Sequence, residues 1–170
     1  MLNREEIRDL INKKKLIDCF IDLETQLTPD GFDLTVEKIF SFKSEGSLDF
    51  SNKERILSKE EELKTIKKNK KEQYGWWNLK GGVYKIRTNE IVNLPKNLTG
   101  LSFPRSSLLR MGCFVHTGVW DAGFNGKGEF ILSVGINGLK IKQNARVAQL
   151  VFFKMKETKT GYSGIYKNLK

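Results

Sequence analysis

Lys127-Gly128-Glu129-Phe130-Ile131-Leu132-Ser133-Val134, then Gly135-Ile136-Asn137-Gly138, then Leu139-Lys140-Ile141, is the passage whose reading decides the fold. Two short runs of branched and aromatic residues flank a glycine- and asparagine-rich break, the pattern of strands joined by a turn. The same texture continues outward. Val83 to Ile86 and Leu98 to Phe103 lie upstream and Val147 to Phe153 lies downstream, punctuated by Gly, Asn and Pro. From Gly81 to the end, short strands with regular turn signals predict a sandwich, barrel or jelly roll.

Upstream of Gly81 the signals differ. Asn3 as N-cap, Glu6 three residues on, and Ile7, Leu10 and Ile11 on one face predict a helix over 4–14, with Leu2 and Ile7 placed to staple its start. Extended chain is expected from Leu16. Pro29-Asp30-Gly31 marks a turn into Phe32-Asp33-Leu34-Thr35-Val36, whose alternation is that of a half-buried strand. Between about 44 and 79 the pattern weakens. There Ser58-Lys59-Glu60-Glu61 reads as the opening of a second capped helix whose apolar members are only Leu63 and Ile66. This stretch is expected to be an insertion outside the core, anchored by Trp76-Trp77.

The chain has 170 residues, 39% of them apolar and 11% aromatic, enough for one sizeable core. We expect a single domain over 1–170, mainly β, built as a distorted β-barrel or jelly roll with an N-terminal helix. No apolar run approaches the ~20 residues that span a bilayer, and no secretory signal follows Met1, so a cytoplasmic protein without a membrane partner is expected. Cys19 and Cys113, with a single histidine, cannot assemble a four-ligand zinc site, and both are expected to be small buried groups. A formal charge of +10 invites a nucleic-acid reading. Much of the excess, however, lies in Lys13-Lys14-Lys15 and the 64–71 stretch, which lack interleaved aromatics and read as solvated faces.

Two segments carry chemistry. Pro104-Arg105-Ser106-Ser107-Leu108-Leu109-Arg110 puts two guanidinium groups and two hydroxyls within seven residues, an inventory suited to phosphate oxygens or, more plainly, to a helix start. His116-Thr117-Gly118-Val119-Trp120-Asp121-Ala122-Gly123-Phe124-Asn125-Gly126 places one carboxylate in an apolar, glycine-rich hairpin. A partly desolvated Asp121 there is a candidate general base, and the alternative is an aspartate capping its own turn. His116 reads as structural.

Together these segments resemble the dCTP deaminase and trimeric dUTPase superfamily. Asp30-Gly31-Phe32-Asp33-Leu34 is similar to its first motif, Pro104 to Gly112 to the second, Val119 to Gly126 to the third, and Ala145-Arg146-Val147-Ala148-Gln149-Leu150 to the fourth. Ile7-Arg8-Asp9-Leu10 followed by Leu16-Ile17-Asp18 resembles the opening of dCTP deaminases. The Asp49-Phe50-Ser51-Asn52 stretch is similar to that of archaeal dUTPases.

The resemblance implies hydrolysis of dUTP to dUMP and pyrophosphate in a homotrimer with Mg2+ as cofactor. It casts Asp121 as the base that activates water against the α-phosphorus, and Asp33 as the holder of a magnesium-bound water. Arg105, Ser106 and Gln149 would bind phosphates, with Ser107 and Arg110 as further contributors. Thr117, Gly118, Val119 and Trp120 would read the uracil edge and Phe124 would pack on deoxyribose. The tail at about 157–170 resembles the deaminase type and is expected to form a lid with Tyr162, Tyr166 and Lys167 as contacts.

Deaminases of this family carry a glutamate on the strand after the third motif as a proton shuttle. Allowing two extra residues after Gly126, that position falls on Ser133, so hydrolysis without deamination is expected. Glu129, four residues earlier on the same strand face, would lie about 13 Å from Ser133. A dCTP deaminase, alone or bifunctional, is the alternative, and a non-catalytic nucleic-acid-binding barrel is the second.

Overall fold

The computed structural model describes residues 1–168. Asn3 caps helix α1 (Arg4–Lys14): its side chain accepts from the Glu6 N–H while the Glu6 carboxylate accepts from the Asn3 N–H, the reciprocal pair expected from the sequence. Leu2, Ile7 and Ile11 are buried and join the main apolar cluster. The elements that follow are β1 (Ile17–Asp18), α2 (Leu23–Gln26), β2 (Leu27–Thr28), β3 (Gly31–Phe42), β4 (Glu60–Glu62), β5 (Trp76–Leu79) and β6 (Gly82–Asn93). The remainder are β7 (Leu98–Pro104), α3 (Ser106–Arg110), β8 (Phe114–His116), β9 (Asn125–Val134), β10 (Leu139–Lys142) and β11 (Arg146–Lys154).

One antiparallel sheet runs in the order β7-β11-β3-β6-β9-β8, with β1 added to β6 and β2 and β4 added to β3, while β5 and β10 form a separate ribbon. The two ends of the sheet come together: Gly100 on β7 and Trp120 after β8 exchange both backbone hydrogen bonds, at 3.0 and 2.9 Å. The result is a nearly closed barrel, as the strand texture predicts. Its interior follows the two-residue strand period. Ile86, Thr88, Glu90 and Val92 of β6 and Phe130, Leu132 and Val134 of β9 are buried.

Glycine makes the closure possible at two places. A Cβ on Gly128 would stand 2.4 Å from Trp120 Cη2, and one on Gly100 would stand 2.9 Å from Leu150 Cδ1 and 3.3 Å from Trp120 Cβ. The Trp120 indole therefore lies directly on the β9 backbone.

Three expectations are corrected. Phe32 to Val36 is not half-buried: Phe32, Asp33, Leu34, Thr35 and Val36 are all withdrawn from solvent. In place of water, Asp33 meets the guanidinium groups of Arg105 and Arg146, and Thr35 meets the buried carboxylate of Glu90. Nor does a helix open at Ser58. Glu60–Glu62 is a strand paired with Phe40–Phe42, and its three carboxylates reach Lys85, Lys43 and Lys38 at 2.6, 2.6 and 2.9 Å. An amphipathic helix with two apolar residues had little to bury, whereas β3 offered a free edge with matching charge. Cys19 is exposed, in a turn at φ 57°, and only Cys113 is buried.

The anchoring role expected of the tryptophan pair falls to Trp77, which is buried and donates Nε1 to the Leu63 carbonyl at 2.7 Å. Trp76 lies between the ammonium groups of Lys68 and Lys142, 4.6 and 5.3 Å from its ring.

Replacing Gly128 by Ala should destabilise the fold by roughly 1–3 kcal/mol in urea unfolding, because Trp120 has to move. Gly118→Ala, which meets nothing within 4 Å, should stay close to wild type.

Candidate active site

Trp120 positions the loop from Thr117 to Phe124. Its Nε1 donates to Ser102 Oγ at 2.8 Å, Thr99 Oγ1 donates to its carbonyl at 3.0 Å, and Thr117 Oγ1 donates to the Ser102 carbonyl at 3.2 Å. Phe124 meets the indole edge to face, with centroids 5.3 Å apart. The loop is thus strapped along β7 while its central ring rests on β9.

Beside it lies a cavity of about 520 Å³, a size suited to a small ligand. Thr117, Gly118, Val119, Trp120, Asp121 and Phe124 all line it, and so do Tyr162 and Tyr166 from the tail. Asp121 is exposed, not partly desolvated as its apolar, glycine-rich setting suggested. His116 is also in the cavity wall, its ring 4.7 Å from that of Phe114.

The tail folds back on this loop. The Tyr162 N–H donates to the Ala122 carbonyl at 2.8 Å and its ring tilts against Phe124 at 5.4 Å. The Lys167 N–H donates to the Gly164 carbonyl at 3.2 Å, and its side chain is not part of the cavity wall among the described residues. Positions 169 and 170 of the expected lid lie outside the described residues.

A second group forms at the Pro104 end of β7. Asp33 Oδ2 lies 3.2 Å from Arg105 Nε and 3.2 Å from Arg146 Nη1, and Arg146 also donates to the Thr25 carbonyl at 2.7 Å. Gln149 stands opposite Asp33 in the ladder and donates Nε2 to Thr28 Oγ1 at 2.8 Å. Ser106 and Ser107 expose their hydroxyls at the start of α3, and Arg110 reaches Ser106 Oγ at 3.4 Å. None of Asp33, Arg105, Ser106, Ser107, Arg110 or Gln149 lines the cavity that holds Asp121. Within one chain the motif residues therefore form two separate groups.

Burial pushes the Asp33 carboxyl above its ordinary range, while the charges of Arg105 and Arg146 pull it down. Beneath it lies a carboxylate that the motif reading missed. Glu90 is fully buried and accepts from Gln26 Nε2 at 2.7 Å, the Thr35 N–H at 2.9 Å and Thr35 Oγ1 at 2.5 Å. Asn89 extends the network to Thr35 Oγ1 and Asn144 at 2.9 and 3.0 Å. The inward period of β6, with Glu90 in phase with Ile86 and Val92, was the available signal.

A family model described as dCTP deaminase-like matches residues 1–155. The chain belongs to the dCTP deaminase-like family. It is 42% identical over 171 residues to a protein of Methanococcoides burtonii named probable deoxyuridine 5'-triphosphate nucleotidohydrolase, covering 99% of this chain and 97% of that one. A Methanocaldococcus jannaschii protein named deoxyuridine 5'-triphosphate nucleotidohydrolase is 38% identical over 144 residues, covering 85% of this chain and 88% of that one. The crystal structure of 2'-deoxycytidine 5'-triphosphate deaminase from Agrobacterium tumefaciens shares the fold, with a TM-score of 0.63 at 22% identity. The match covers 89% of this chain and 45% of the deaminase.

In this dCTP deaminase-like chain, β9 presents Lys127, Glu129 and Ile131 to the cavity, and Ser133 is not in its wall. The ladder explains why. His116 pairs with Ile131 and Phe114 with Ser133 without a break, so Ser133 lies one step beyond the cavity along β9. The carboxylate that faces the cavity from β9 is Glu129.

The residues do not fit a resident metal ion. Among the described residues no group of three or more His, Cys, Asp or Glu could hold one, and Asp33 is buried between two guanidinium groups. A carboxylate already held by two fixed cations does not suit the magnesium-water role that the family resemblance gives Asp33.

Glu90 gives a pH signature. Burial raises its carboxyl above the ordinary 4.5, against hydrogen bonds from Thr35 and Gln26. A raised carboxyl favours the protonated folded state, so its contribution is fully present below the unfolded value and is lost as pH rises through the folded one. The stability advantage of wild type over Glu90→Gln, followed by urea unfolding, should be greatest below the ordinary 4.5 and shrink as pH rises above it.

Proposed function

We propose that this protein hydrolyses dUTP to dUMP and pyrophosphate. The observation that carries the reading is the convergence of Thr117 to Asp121, Phe124 and Tyr162 on one nucleoside-sized cavity, with the Asp121 carboxylate exposed at its wall. The names of the archaeal relatives point the same way.

In this reading Trp120 and its neighbours hold the base, Phe124 packs against deoxyribose, and Asp121 orients a water beside the α-phosphorus. Asp121 takes the proton as the water oxygen bonds to phosphorus. The bond to the bridging oxygen breaks, and pyrophosphate leaves. Catalysis of this kind rests on positioning and charge stabilisation. The substrate is dUTP carrying magnesium on its phosphate oxygens, so the ion enters with the nucleotide.

The phosphate contacts come from a second copy of the chain. Arg105, Ser106 and Gln149, with Ser107 and Arg110, belong to the half-site that the cavity of the same chain does not include. A cyclic assembly brings the two halves together, and we assign it as a homotrimer on the family resemblance. Deamination is disfavoured because a proton shuttle has to give up and regain its proton. Glu129, the carboxylate on the cavity face of β9, is instead clamped by Lys85 at 2.8 Å and Arg87 at 2.7 Å. A nucleic-acid role is disfavoured as well, since the relatives that match most of the chain are named as nucleotidohydrolases.

Pyrophosphate release from dUTP tests the activity, with no ammonia expected from dCTP. Asp121→Asn should lower kcat by roughly 1,000-fold. Mixing inactive Asp121→Asn and Arg105→Ala proteins under subunit exchange should restore activity to about a quarter of wild type, since a shared site then draws one intact half from each copy. No recovery would place both halves of the site on one chain.

A further inference from the structure

The cavity wall holds a charged cluster that the hydrolytic step does not use. Lys85 Nζ lies 2.6 Å from Glu60 Oε2 and 2.8 Å from Glu129 Oε2, while Arg87 engages Glu129 Oε1 through Nε at 2.8 Å and Nη2 at 2.7 Å. Lys85 and Glu129 are mostly buried, with side-chain exposures of 14% and 17%, and both line the cavity together with Thr117 to Trp120. Lys85 stands opposite Ile131 and Arg87 opposite Glu129 across the β6–β9 ladder, so Lys85 reaches Glu129 along the diagonal. The Phe40 ring lies 4.7 Å from the ammonium.

We propose that Lys85 and Glu129 read the imide edge of the pyrimidine and set the preference for uracil over cytosine. An ammonium has three donors, and two carboxylates take two of those on Lys85. A carboxylate has about four acceptor positions, and the guanidinium and ammonium contacts fill three on Glu129. One donor and one acceptor remain, on atoms 2.8 Å apart.

Uracil presents the complementary pair, O4 as acceptor beside N3–H as donor. Cytosine reverses both: its N4 amine would meet the ammonium and its unprotonated N3 would meet the carboxylate. With the base in the same pose, cytosine would leave the remaining donor on Lys85 and the remaining acceptor on Glu129 unmet, which is how a polar site rejects a near-isostere. Thymine shares the imide edge, so the pair separates uracil from cytosine and leaves the 5-position to other contacts. Arg87 and Glu60 act through the pair by fixing its rotamers.

The inference deepens the dUTP reading and rests on it. The test compares wild type, Lys85→Met and Glu129→Gln for kcat/KM with dUTP and with dCTP by pyrophosphate release, and for binding of dUMP and dCMP by calorimetry. In both variants the preference for the uracil nucleotide should fall by roughly 100-fold, mainly through KM for dUTP, with dUMP over dCMP binding falling in parallel. A preference that stays at the wild-type value in either variant overturns the inference, including the case in which both nucleotides lose activity equally. The binding arm does not depend on turnover. A wild-type protein that binds dUMP over dCMP yet leaves dUTP intact would sink the hydrolytic reading while the base preference is still measured.

Discussion

The contact on which the rest of the structure depends is the seating of Trp120. Its backbone pairs with Gly100, its indole N–H bonds Ser102, and its ring lies on the bare backbone of Gly128. One residue thus joins the first and last strands of the sheet. It also fixes where the chain goes next, because Asp121 and Phe124 follow directly and the tail packs on them through Tyr162. Barrel closure and the shape of the cavity are consequences of the same packing event. An aromatic with a polar edge suits the position, since the buried ring needs apolar contact and its N–H needs a partner.

The opposite end of β7 is organised by charge. Asp33 and Glu90 are buried carboxylates, and such groups persist only when hydrogen bonds or counter-charges offset their desolvation. Asp33 is offset by Arg105 and Arg146, which draws the second and fourth motifs onto the first. Glu90 is satisfied by Thr35 and Gln26 without a cation, and it locks β3 to the α2 turn behind that ion cluster. The group that presents guanidinium and hydroxyl groups is therefore held by polar contacts, whereas the cavity beside Trp120 is held by aromatic packing.

Much of this was legible in the sequence. The strands after Gly81 could be read from their texture because branched residues and turn signals act locally, and α1 could be read from its reciprocal cap. The strand at Glu60–Glu62 could not, because its partners Phe40–Phe42 and its lysine counter-charges lie far away in sequence. The motifs named the candidate residues, but Asp121 and Arg105 sit within one short stretch of chain and still fall in different groups. That separation is a product of where α3 and the Trp120 loop leave the barrel. Glu129, Ile131 and Ser133 share one face of β9, and how far along it the cavity extends is set by the elements packed against that face, which no residue type in the strand marks.

The central claim is that a uracil nucleotide lies across two copies of the chain, its nucleoside end in the Trp120 cavity and its phosphates on the Arg105 half-site of a neighbour. The most direct measurement is a crystal structure with magnesium and the non-hydrolysable α,β-imido analogue of dUTP. The account predicts a base against Thr117 to Trp120 with its α-phosphate beside Asp121, and phosphate oxygens bonded to the partner subunit's Arg105. A triphosphate held by Arg105 of the same chain, or a base lying outside the cavity, would contradict it.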